Sequence, residues 1–318
     1  MLYRYRYLVK HGKIHFIEKS NDTLFIELPQ IPNILIVYRR PNERLRNPER
    51  LQLSNKQFKM IPLLEGEEEL KTLLLDKNNI LKLENLISLP KLEVLDCSHN
   101  KISEINEIKS LIGLRTVCLG FNEISNIEPV KYLSRVRELD LQRNRVISIP
   151  ASSLSCLFNL QRLNLSFNYL TEFSSELSSL ESLKELNLSN NKIFEIQNDK
   201  CSKLWGLEIL NLASNNFESV ESLQGLSDLK ILKNLNLLST PLFVMKPKEQ
   251  KEKIRSSIID LIGTLKILNC EEIIEKDESS LVQQNTVSSL SGVVKATPQP
   301  QTAPKPLKPE ISSKEKQK

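Results

Sequence analysis

The stretch Leu70-Lys71-Thr72-Leu73-Leu74-Leu75-Asp76-Lys77-Asn78-Asn79-Ile80 decides the fold. Its frame of Leu70, Leu73, Leu75 and Asn78 recurs from Leu92, Leu114, Val136, Leu160, Leu183 and Leu207, at offsets of 22, 22, 22, 24, 23 and 24 residues. Each copy ends in an asparagine: Asn78, Asn100, Asn122, Asn144, Asn168, Asn191 and Asn215. Seven asparagines in one register mark a repeated supersecondary unit. The second and third apolar residues of the frame lie two apart, so on a strand they point the same way, inward. The asparagine falls where the chain leaves the strand, and its short amide can satisfy backbone groups that would otherwise be buried and unpaired. One copy cannot bury its own apolar face. Neighbours complete the core, and the copies stack into a solenoid.

The second half of each copy places apolar residues every third position, as in Ile80, Leu83, Leu86 and Leu89, then Ile102, Ile105, Ile108 and Leu111. That spacing suits tight turns or short 3-10 helices better than a long α-helix. Such repeats resemble the SDS22-like class of leucine-rich repeat proteins. The resemblance implies an α/β solenoid: a leucine-rich repeat horseshoe with one parallel sheet on the concave side and short 3-10 or α helices on the convex side.

The repeats are framed by other sequence. Residues 1–50 read as a β-rich flank, with strand patterns over Tyr3–Val9, Thr23–Leu28 and Ile34–Tyr38. The flank carries ten Lys or Arg against five acids, either a solvated strand face or a contact for an acidic partner. Repeats occupy 51–246. The first is degenerate, with Lys56 where asparagine belongs, as terminal repeats tend to be. Residues 247–270 read as a carboxy-terminal cap, because Ile254, Ile258, Leu261, Ile262 and Leu265 share one helical face. Residues 271–318 are rich in Ser, Gln, Pro and Lys, and read as a disordered tail.

Function classes narrow quickly. Eight glycines in 318 residues argue against a glycine-rich phosphate cradle, and a formal charge of +5 does not point to nucleic acid. No stretch is long enough for a membrane span. The cysteines Cys97, Cys118, Cys156, Cys201 and Cys270 form no CxxC pair. Cys97 takes an inward slot and Cys118 an outward one, so these two do not pair. That pattern suggests a reducing compartment, with the cytoplasm first. The three histidines, His11, His15 and His99, are scattered, and no metal-ligand, nucleophile or nucleotide motif accompanies them. The expectation is a non-enzyme with no cofactor and no metal, acting on other proteins as a monomer within a hetero-complex.

Protein binding is expected on the concave sheet. One outward row holds Asp96 and Asp140, a second holds Glu138 and Arg162, and the position before each asparagine holds Phe121, Arg143 and Phe167. Strands about 4.8 Å apart turn these last three into a stripe roughly 10 Å long. Aromatic and Arg side chains are the usual interface anchors. An aromatic just before the asparagine can equally serve as filler at the core edge, and both readings stay open.

Two further stretches bear on partners. Lys13-Ile14-His15-Phe16 fits the loose docking motif for protein phosphatase 1, within a strand pattern that gives it a structural role as well. Ile34-Leu35-Ile36-Val37-Tyr38-Arg39-Arg40, then Asn47-Pro48-Glu49-Arg50-Leu51-Gln52-Leu53, then Ile61-Pro62-Leu63-Leu64-Glu65-Gly66-Glu67-Glu68 resembles the lead-in of the leucine-rich repeat subunit of the tubulin polyglutamylase complex. That resemblance covers roughly residues 30–270. It implies a scaffold at microtubules, centrosomes or cilia, with any ligase activity in another subunit.

Overall fold

Each regular repeat contributes a strand of only three residues, and the middle one is buried. The structure, a computed structural model, describes residues 15–19, 23–27, 35–64 and 66–273. The strand pattern at Tyr3–Val9, the residues Lys13 and Ile14, and the tail beyond Ile273 lie outside the described residues.

In chain order the strands are β1 (His15–Lys19), β2 (Thr23–Glu27), β3 (Leu35–Arg39), β4 (Arg50–Gln52), β5 (Leu63–Leu64), β6 (Thr72–Leu74), β7 (Val94–Asp96), β8 (Thr116–Cys118), β9 (Glu138–Asp140), β10 (Arg162–Asn164), β11 (Glu185–Asn187), β12 (Ile209–Asn211), β13 (Asn234–Asn236), β14 (Ile267–Leu268) and β15 (Glu271–Glu272). Strands β4 and β6 to β15 form one eleven-stranded sheet in sequential order. All its pairings are parallel except the last, β14 with β15. The register follows the frame, with Leu73, Leu95, Val117, Leu139, Leu163 and Leu186 opposite one another and all buried.

The asparagines form a ladder on the inside of the turn that leaves the sheet. Asn122 is representative. Its Nδ2 donates to the carbonyls of Leu119 at 2.9 Å and of Cys97 in the preceding repeat at 3.0 Å, while its Oδ1 accepts from the Ile102 amide at 2.9 Å. One side chain thus satisfies backbone groups of two repeats. At Thr240 the ladder changes chemistry, since its Oγ1 donates only to Leu237 O at 2.8 Å.

On the opposite side the chain returns through 3-10 segments at Asn106–Ser110, Glu128–Tyr132, Ser175–Ser179 and Glu221–Asp228, with turns in the other repeats. Within the described repeats these are 3-10 segments and turns, the type that apolar spacing of three favours. Gly225 shows how tightly these segments stack. A Cβ there would sit 2.2 Å from the Gln197 carbonyl of the previous repeat.

Both ends of the solenoid are covered. Helix α2 (Lys248–Leu261) buries Ile258 and packs Ile254 and Leu261 against the core, and β14 then extends the sheet. Cap structure reaches β15 at 271–272, slightly past residue 270. At the other end, β1, β2, β3 and β5 form a four-stranded sheet, with β5 parallel to β3. The flank's sheet therefore takes Leu63–Leu64 from within the first repeat, beyond the boundary at residue 50. A short helix α1 (Pro41–Arg46), not expected from the sequence, joins the two sheets.

Arg39, at the end of β3, locks this junction. Its side chain is about 1% exposed. It donates through Nε to Glu67 Oε1 at 3.0 Å and through Nη2 to Glu67 Oε2, and its Nη1 reaches the Asn47 and Arg50 carbonyls at 2.6 and 3.1 Å. Arg44 stands 3.4 Å from the same carboxylate. The fork geometry of a guanidinium suits this double task, because two edges of one plane serve a carboxylate and two carbonyls at once.

Candidate interaction surface

Side chains at the two ends of each three-residue strand point away from the core. One outward row runs Thr72, Val94, Thr116, Glu138, Arg162, Glu185, Ile209 and Asn234, and the other runs Leu74, Asp96, Cys118, Asp140, Asn164, Asn187, Asn211 and Asn236. Within the first row Arg162 and Glu138 are paired in adjacent strands.

The second row has a local duty. Asp96 Oδ1 accepts from Ser98 N at 2.9 Å, Asp140 Oδ1 from Gln142 N at 3.0 Å, and Asn164, Asn187 and Asn211 cap the amide two residues on in the same way. An Asp or Asn side chain offers its own backbone this turn, so the residue type in the row is largely a folding requirement. Asp96 and Asp140 keep one oxygen each for other work, and Asp140 Oδ2 accepts from Gln142 Nε2 at 2.9 Å.

These rows frame a shallow depression of about 350 Å³ lined by Cys118, Glu138, Asp140, Arg162, Asn164 and Glu185. Burial first, then the carboxylates of Asp96, Asp140 and Glu138, push the Cys118 thiol up to about 12. It is protonated near neutral pH and is a poor nucleophile. Cys97, one repeat earlier, points into the core. Among the described residues, no cluster of three or more His, Cys, Asp or Glu could hold a metal ion. No helix among them is long and apolar enough to cross a membrane.

The third row lies just past the sheet, in the turn before each ladder asparagine. Lys77, His99, Phe121, Arg143, Phe167, Asn190 and Ser214 all have φ between 51° and 58°. This left-handed conformation is unfavourable for β-branched side chains, and none occupies the row. Each residue is held by the next repeat, as Phe121 N donates to Gln142 O at 2.8 Å, Arg143 N to Ser166 O at 2.8 Å and Phe167 N to Ser189 O at 2.9 Å. Phe121, Arg143 and Phe167 therefore sit on the rim of the concave sheet rather than on its strands.

The side chains of this row stack. The His99 and Phe121 rings lie 4.0 Å apart at 18°. The Arg143 guanidinium sits 5.2 Å from the Phe121 centroid and 3.9 Å from that of Phe167. Phe121 and Phe167 are outside the hydrophobic core, and Phe167 is 39% exposed. Beside them a second depression of about 430 Å³ opens between Arg143, Arg145, Phe167, Tyr169 and Asn190.

The stripe, the acidic pair at Asp96 and Asp140, and the Glu138–Arg162 pair thus fall on three adjacent lines. His99 extends the stripe, and Tyr169 and Arg145 broaden it. His99 stands in the sequence row before the asparagines, and register alone could also have found Tyr169 and Arg145, which stand directly after ladder asparagines. Arg39 and Glu67 carry no repeat signal, and the sequence offers no spacing rule that pairs them.

A family model described as "Leucine rich repeat" matches residues 134–193, and a second, single-repeat one matches 91–111. Together with the in-register sheet and ladder, these matches decide the fold. It is a leucine-rich repeat solenoid. The fold of this leucine-rich repeat chain is similar to that of a leucine-rich repeat protein of Leptospira interrogans, with a TM-score of 0.57 and 24% identity over 73% of this chain and 69% of that one. It is also similar to internalin C2 of Listeria monocytogenes, with a TM-score of 0.50 and 22% identity over 63% and 80%. At such identities the likeness is one of fold. No curated protein matches the chain.

Proposed function

We propose that this protein is a non-catalytic interaction scaffold that holds a partner protein along the concave sheet and its rim, within microtubule, ciliary or tubulin-modifying machinery. The observation that carries the scaffold reading is the stack of His99, Phe121, Arg143 and Phe167, which lies outside the core and is fixed by backbone hydrogen bonds on both sides. Rigid aromatic and Arg side chains lose little entropy on binding, the property that makes such residues interface anchors. The microtubule assignment rests on the lead-in from Ile34 to Glu68. Arg39, Asn47, Arg50 and Glu67, which form the buried junction, all lie within it.

Affinity purification of the tagged full chain, with partner identification, tests this assignment. Tubulin-modifying or axonemal proteins are the expected partners. Recovery of phosphatase catalytic chains instead, lost on Phe16→Ala, would replace it with the alternative of a protein phosphatase 1 regulatory subunit, the reading that Lys13-Ile14-His15-Phe16 supports.

A further inference from the structure

Charge is segregated across the binding face. The two positions flanking the ladder asparagines carry Lys77, Lys101, Arg143, Arg145 and Lys192, with Glu123 the one acid among them. From β6 to β13 the strand rows carry Asp96, Glu138, Asp140 and Glu185 against Arg162. On the basic rim, Arg145 is occupied by Glu123 at 2.9 Å, and Lys192 lies 5.5 Å from the Tyr169 ring. Arg143 differs. Among the described residues, its guanidinium makes no hydrogen bond or ion pair with protein, and its surroundings are the two phenyl rings. Arg143 is exposed, so N–H donors that no protein group uses are open to an outside acceptor.

The rings reinforce this. Phe121 lies between His99 and Arg143, and Phe167 lies against Arg143, so the stack turns ring edges outward. The edge of an aromatic ring is its positive rim. Donors and ring edges together present one continuous positive line. Phe121 has a stacking neighbour on either side, which removes the platform that a base of a single-stranded nucleic acid would need there.

We propose that this rim is a docking groove for an extended acidic peptide segment of a partner, with a carboxylate seated on the Arg143 guanidinium. The occupant follows from charge complementarity and length. Six repeat steps from Lys77 to Ser214 span about 29 Å, which about nine extended residues cover. The inference rests on the reading of the sheet and its rim as a contact surface, and adds the chemistry of what binds.

The test is fluorescence anisotropy on the full chain, with a labelled peptide of about ten residues alternating Asp and Ser, long enough to cover the rim. Its Asn–Ser counterpart and a single-stranded oligothymidylate complete the set. The Asp peptide binds and the Asn peptide does not. Arg143→Gln weakens binding by about tenfold or more, the loss of a charge-assisted, two-bond contact. Phe167→Leu, which removes the platform and keeps the charge, weakens it as well, and Glu123→Gln, which frees Arg145, strengthens it. Lys203→Gln makes the same charge change as Arg143→Gln at an exposed site outside the rim, and leaves affinity within about twofold. Equal binding of the Asn peptide, equal losses for the Arg143 and Lys203 variants, or Arg143-dependent binding of the oligothymidylate in preference to the Asp peptide each overturns the proposal. A purified partner that survives such a result would leave the scaffold reading standing, so the two fail separately.

Discussion

Arg39→Met destabilises the protein by about 3–5 kcal/mol, the cost of stranding one partner of a buried ion pair. Glu67 keeps its carboxylate nearly fully buried in that variant, with Arg44 at 3.4 Å as its remaining cation. The Asn47 and Arg50 carbonyls lose their shared donor as well. The damage falls on the joint between the flank sheet and β4, the first strand of the solenoid. Replacing both partners, Arg39→Met with Glu67→Met, removes the stranded charge and recovers a large part of the loss. Urea unfolding of the single and double variants measures both effects. Amide exchange over Leu51–Leu53 shows whether the first repeat opens before the rest, as a one-dimensional array allows. A single variant within about 1 kcal/mol of the parent would mean that the junction holds without its ion pair.

The second large effect belongs to the ladder. Asn144→Ala takes one of two amide donors from the Leu119 and Leu141 carbonyls, which keep Asn122 and Asn168 at 2.9 and 3.0 Å, and leaves the buried Ile124 amide, bonded at 2.9 Å, without its acceptor. One buried amide left unpaired at about 1–3 kcal/mol, with a further bond lost at each of two carbonyls, gives an expected loss of about 2 kcal/mol or more. Asn144→Thr imitates Thr240, which restores one such bond, and recovers only part of the loss. The specific readout is the Ile124 amide, whose exchange accelerates in Asn144→Ala ahead of global unfolding. An unchanged Ile124 amide would show that water replaces the side chain at no cost.

What the sequence made legible follows from periodicity. The strand, its buried middle residue and the ladder asparagine each depend on contacts one repeat away, so each leaves a mark at intervals of 22 to 24 residues. The same register places Asp96, Glu138, Asp140, Arg143 and Arg162 on outward lines. It did not reveal that the Asp and Asn row caps its own turns, because an amide-capping aspartate and a partner-binding one look alike in a sequence. Nor did it reveal that Phe121, Arg143 and Phe167 share a left-handed turn, although the absence of Val, Ile and Thr from that row is the trace of it. The junction was illegible for a different reason. Arg39 and Glu67 are 28 residues apart and belong to no repeat, and Leu63–Leu64 leaves the solenoid rhythm to pair with β3. Aperiodic contacts at the end of a periodic array have no second copy to betray them.

One double variant separates the proposed contact role of the rim stack from a stabilising one. Phe167 is 39% exposed, and Arg143 touches protein through its stacking rings. The direct measurement is made on one protein, the Arg143→Ala, Phe167→Ala double variant, with partner affinity by calorimetry and melting temperature recorded side by side. A contact role gives an affinity loss of at least about 2 kcal/mol, as for two anchor residues, with the melting temperature held within a few degrees of the parent. An unchanged affinity with a lowered melting temperature would contradict it, and would make the stack a cover for the core edge.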